Sequence, residues 1–130
     1  MRNQHVERWE AKLKVVFDQI DDTLEERYHG SYPLHPTRLS RGQAANKEDD
    51  GLFELGVSFS AGIGSKAGPG YVFRVRLATL ATVPDHFREQ LTEEVIELLQ
   101  QLLPQEFPGT DLRVGCENGI CRVYGDLSLD

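Results

Sequence analysis

"LFELGVSFSAGIGSKAGPGYVFRVRLATL", residues 52–80, holds two runs of alternating side chains around a glycine-rich centre. In the first run Phe53, Leu55, Val57, Phe59 and Ala61 alternate with Glu54, Gly56, Ser58 and Ser60. In the second, Tyr71, Phe73, Val75 and Leu77 stand against Arg74 and Arg76. Side chains of an extended chain point alternately to opposite faces, so a period of two marks a strand with one face buried. The spacing predicts strands over 52–61 and 71–80, paired as an antiparallel hairpin.

The centre of the stretch has two readings. Gly62-Ile63-Gly64-Ser65-Lys66-Ala67 fits the G-x-G-x-x-G/A spacing of a dinucleotide-binding turn. That turn works because a helix starts right behind it and aims its N–H groups at a pyrophosphate. Here Gly68-Pro69-Gly70 and a strand follow, and the Gly-Lys-Ser/Thr of a P-loop is missing. The glycines therefore read as a hairpin connection that uses backbone angles closed to other residues. The sharper alternative is a flap whose backbone amides and Lys66 hold an anion.

Helical periodicity flanks the hairpin on both sides. Over residues 5–29, Val6, Trp9, Leu13, Val16, Phe17, Ile20, Leu24 and Tyr28 recur at steps of three and four, and Gly30 supplies a stop. At that spacing Trp9 belongs to a core rather than to a ligand platform. Residues 84–103 repeat the pattern with Phe87, Leu91, Val95, Leu98 and Leu102, opened by Pro84 and closed by Pro104 and Pro108. Residues 111–117 and 120–127 alternate around Asn118-Gly119, a strong hairpin signal. The fold class is α+β, in the order α-β-β-α-β-β. The simplest packing is a two-layer sandwich: a four-stranded, mostly antiparallel sheet with two helices on one face. The 130 residues make one domain, interrupted by a long irregular loop at 30–51.

Net charge is −7, and the two helical segments carry the whole excess of acid. Such a chain is soluble and does not attract nucleic acid through its overall field. It has no apolar run approaching the ~20 residues of a membrane span. The polar start "MRNQHVERWEAK" has no signal-peptide core, so a cytoplasmic location is expected. No cofactor motif is found.

Three places remain for function. The loop 31–50 gathers His35, Arg38, Arg41, Asn46, Glu48, Asp49 and Asp50. Histidine moves protons near neutrality, and arginine binds carboxylate or phosphate oxygens. An enzyme reading makes His35, with Asp50, the acid–base pair and Arg38 and Arg41 the anchors of an anionic substrate. It requires these side chains to converge. Asp49-Asp50-Gly51 lacks calcium-loop spacing, and no metal site is expected.

The second place is the cysteine pair. With a two-residue turn at Asn118-Gly119, Cys116 stands opposite Cys121, close enough for a cross-strand disulfide. A reducing cytosol favours two free thiols instead, and the pair is also half of a zinc site.

The third is the sheet face away from the helices. Arg74, Arg76, Arg113, Arg122 and Tyr124 share it with Glu54, Asp111, Glu117 and Asp126, which suggests a lattice of cross-strand ion pairs. Val72, Ile120 and Leu80 add apolar surface, so a homodimer through this face or an edge strand is a further expectation. The leading functional reading is a non-catalytic domain. It binds an anionic small molecule or a protein partner through loop 31–50 and the arginine face, with Arg38, Arg41, Asn46, Lys66, Arg74 and Arg76 as contacts.

Overall fold

Residues 4–61, 68–117 and 120–126 are described by a computed structural model. Helix α1 spans Gln4–Arg27 and helix α2 spans Asp85–Glu106. The strands are β1 (Phe53–Ser60), β2 (Gly70–Leu77), β3 (Leu112–Glu117) and β4 (Ile120–Gly125). The strand pairings within the sheet are antiparallel, and the order across it is β1-β2-β4-β3. This is the α+β arrangement expected, with β4 inserted between β2 and β3. Both helices lie on one face, α1 against β1 and α2 against β3, and they touch each other. No helix among the described residues is long and apolar enough to cross a membrane.

The α1 stripe of Trp9, Leu13, Val16, Phe17, Ile20 and Leu24 is buried against Phe53, Leu55, Tyr71, Phe73 and Val123. Steps of three and four keep those side chains on one face of a helix with 3.6 residues per turn. In α2 the fully buried residues are Leu91, Val95, Leu99 and Leu103, spaced by four. Leu98 and Leu102, expected in the stripe, are only partly buried.

Three expectations are corrected. Pro104 does not end α2 but lies inside its last turn. A proline there removes one N–H donor, yet Phe107 holds the turn by stacking on Trp9 with ring centroids 4.3 Å apart. Phe59 is 44% exposed: it lies near the far end of the edge strand β1, with no neighbouring strand on the outer side among the described residues. The second strand stops at Leu77 rather than residue 80. The N–H of Ala78 still donates to Leu52 O, but its carbonyl accepts from His35 N of the loop.

Candidate functional site

The connection 31–50 is tied to α1 and to the start of β1. Leu39 and Asp50 form an isolated parallel bridge, and Gly51 N donates to Leu39 O at 3.0 Å. A 3-10 turn at Lys47–Asp49 leads into that bridge. Gly51 has a φ of +74°, and a Cβ there would run into the Glu25 carboxylate. Only glycine fits that close approach.

Arg38 and Arg41 have internal partners. Arg38 donates from Nε to Gly51 O at 3.0 Å, and from Nη2 to Asp50 O and Phe53 O at 3.2 and 3.3 Å. Its Nη1 is 3.8 Å from Glu54. Arg41 donates from Nη2 to Asp22 at 2.6 Å and from Nη1 to Lys47 O and Asp50 Oδ1. Those two bonds use both Nη1 protons. The 2.9 Å approach of Nη1 to Asp21 is therefore an ion pair without a hydrogen bond. Lys47 Nζ completes the cluster on Asp22.

Burial tends to raise the Asp50 carboxyl, but the amides of Ala44 and Gly42 and the Arg41 guanidinium outweigh it and hold it below the ordinary value. Asp22 follows the same logic through Lys47 and Arg41. Asp21 goes the other way. Burial pushes it up to about 7 against the pull of Arg41, and Glu25, Asp22 and Asp18 add to the rise.

The enzyme reading required convergence, and the structure separates its parts. The His35 Nδ1 accepts from Thr37 N at 3.1 Å and lies 2.9 Å from the Thr37 hydroxyl. His35 shares an open cleft of about 510 Å³ with Arg38, Glu54 and Thr79, whereas Arg41 and Asp50 lie outside it. Asp50 has both oxygens occupied by Gly42, Ala44 and Arg41. Asn46 is exposed, and among the described residues its side chain reaches Asp49, at 3.5 Å. Lys66 and the Gly62–Ala67 turn lie outside the described residues.

On the uncovered sheet face the ion pairs among the described residues do not follow the expected cross-strand lattice. Glu54 is opposite Arg76 in register, yet it pairs with Arg38. Arg113 pairs with Asp111, two residues away. Arg74 and Arg76 are exposed and have no ion pair among the described residues. Arg122, between Val72 and Gly115, has Nε and Nη1 buried without a hydrogen-bond partner. Tyr124 leans across Gly115 beside it. On the edge strand β3, Cys116 is joined by a disulfide to Cys121 of β4, its partner in register.

Residues 4–125 match the profile of a protein family described as "Uncharacterised protein". The chain belongs to this family. A protein of Borreliella burgdorferi described as "Uncharacterized protein" is 34% identical over 106 residues, covering 82% of this chain and 83% of that one. No solved structure matches the chain. The family's match thus runs from α1 through β4, across both the loop and the arginine face.

Sequence reasoning missed Asp21, Asp22 and Glu25 as partners of the loop. One signal was present. Asp21 is four residues after Phe17 and eight after Leu13, a position the buried stripe should have filled with an apolar residue.

Proposed function

We propose that the chain is a non-catalytic binding domain that docks a carboxylate-bearing protein surface on the uncovered face of its sheet. The observation that carries this reading is the set of arginines 74, 76 and 122, which share one face and have no anionic partner among the described residues. A guanidinium offers several donors in a fixed fork that matches carboxylate oxygens. A Cβ built on Gly56, in register with Arg74, would meet nothing within 4 Å, so the space beside Arg74 on this face is open. Loop 31–50 serves this surface as scaffold: Arg38 is spent on backbone carbonyls and on Glu54, which leaves Arg76 unneutralised.

The test is an NMR titration with a deca-glutamate peptide at low and at physiological salt. Amide shifts centred on residues 74, 76, 122 and 124, weakened by salt and lost in Arg74→Ser/Arg76→Ser, support the reading. Shifts that avoid this face, or that survive the double substitution, overturn it. So does sedimentation showing the face already covered by a second copy at tens of micromolar.

A further inference from the structure

The outer edge of β1 is open, and the direction of its backbone groups can be worked out residue by residue. Leu52 O accepts from Ala78 N, so the even-numbered positions of this strand turn their N–H and C=O toward β2. In an antiparallel pair these directions alternate. The odd-numbered positions therefore face outward, and Phe53 agrees. Its N–H donates to Glu25 Oε1 at 2.9 Å and its C=O accepts from Arg38 at 3.3 Å. These two side chains close the edge at its first residue. Leu55, Val57 and Phe59 present the same outward groups with no hydrogen-bond partner from another element among the described residues.

Beside that edge runs a groove of about 360 Å³ between α1 and β1. Leu13, Phe17, Leu55 and Val57 form its apolar floor, Glu7, Glu10 and Asp18 stand around it, and the buried Asp21, which faces Arg41, also lines it. Among the described residues Lys14 is the one cation lining it, and it is bound to Asp18 at 2.8 Å.

We propose that this edge takes an added β-strand, an extended segment of another protein in which lysines or arginines alternate with apolar residues. The backbone of the segment would pair with Leu55, Val57 and Phe59. One set of its side chains would lie over the groove floor, and its cations would meet the acidic rim. Strand addition obtains affinity from main-chain bonds and specificity from alternate side chains. Charge selects this occupant over a second copy of the chain. Antiparallel β1–β1 pairing about a two-fold axis would bring two acidic rims face to face, and like charges at such range repel. This site is separate from the arginine face and opposite to it in charge.

The probe is an acetylated Lys-Val-Lys-Val-Lys-Val-Lys peptide, with Glu-Val-Glu-Val-Glu-Val-Glu as the control. The cationic peptide should protect the amides of Leu55, Val57 and Phe59 from hydrogen exchange, and the acidic one should not. Val57→Pro removes one outward N–H and leaves the β1–β2 ladder whole, so it should abolish binding. Glu7→Lys/Glu10→Lys, on the helix surface, should weaken binding at least about tenfold without touching the strand. Binding that leaves the three amides unprotected overturns the proposal, as does binding unmoved by the lysine pair. Concentration-dependent protection of those amides in the absence of peptide assigns the edge to self-association and also overturns it.

Discussion

Arg41 Nη1 stands 3.1 Å from Asp50 Oδ1, and this contact joins the middle of the long connection to its last residue. Asp50 is 2% exposed, so its charge depends on the guanidinium and on the amides of Gly42 and Ala44. The same guanidinium faces the buried Asp21. Removing one partner of a buried pair leaves a charge uncompensated, which costs more than the pair contributes. Arg41 is itself partly exposed, which moderates the effect. Arg41→Ala should therefore lose about 2–3 kcal/mol in urea unfolding. Arg41→Lys should recover only part, because an ammonium cannot span Asp22, Asp50 and Lys47 O together. Stability within about 0.5 kcal/mol of the parent in Arg41→Ala would refute this account.

The legible parts of the chain are those where a short period reports burial. Phe53, Leu55, Tyr71 and Phe73 alternate, and all four are buried on the helix side. The Cys116–Cys121 register followed from the two-residue turn alone. What stayed hidden depends on contacts between distant segments. Period two assigns Phe59 to the helix side of the sheet but cannot say that β1 is an edge or that cover is lost towards its far end, where Phe59 is 44% exposed while Phe53 and Leu55 are buried. Arg38 and Arg41 look like ligand anchors in isolation. Their partners are backbone carbonyls and α1 acids brought close only by the fold. Glu54 and Arg76 pair in register, yet Arg38 competes for the same carboxylate.

Asp21 makes stability fall as pH rises. Its carboxyl titrates near 7 in the folded chain, against an ordinary value of 3.8. Between those values the folded state keeps a proton that the unfolded state has released. The stability from this group is whole below about pH 4 and is lost as pH climbs through 7. Asp22 and Asp50, held low, slope the other way and lose their contribution only in acid. Asp21→Asn should flatten the decline between about pH 4 and 7. It should also exceed the parent at pH 8 by on the order of 2–4 kcal/mol. Parallel urea midpoints for parent and variant across that interval would contradict this.

The Cys116–Cys121 bond closes a loop with a sequence separation of 5. Cross-linking removes freedom from the unfolded chain, and a short loop has little to lose. The chain-entropy relation gives about 2 kcal/mol for a loop this small. Cys116→Ser/Cys121→Ser should reproduce that loss, and a phosphine reductant should match it in the parent with no effect on the variant. A reductant-insensitive parent would show that the thiols are free in solution.

Pro104 and Phe107 oppose each other at the end of α2. The proline lacks the N–H that would reach Gln100 O, and it disfavours helical angles at Leu103. Phe107, 2% exposed, overrides this by stacking on Trp9, while its own N–H closes on Leu103 O at 2.8 Å. Lys12 adds a cation 5.3 Å from the Phe107 ring and donates to Glu106 O. Pro104→Ala restores the missing donor at an exposed position and should stabilise the domain by about 1 kcal/mol. Phe107→Ala should destabilise it by about 3–5 kcal/mol and unwind the turn beyond Leu103. Trp9 is the only tryptophan and is fully buried, so its emission reports the site directly. Emission should shift to the red in Phe107→Ala and stay unchanged in Pro104→Ala. The double variant should keep the helix turn that the single Phe107→Ala loses, because the alanine at 104 no longer needs the stack to hold it. Equal helix content in the single and double variants would show that the proline exerts no opposing pull.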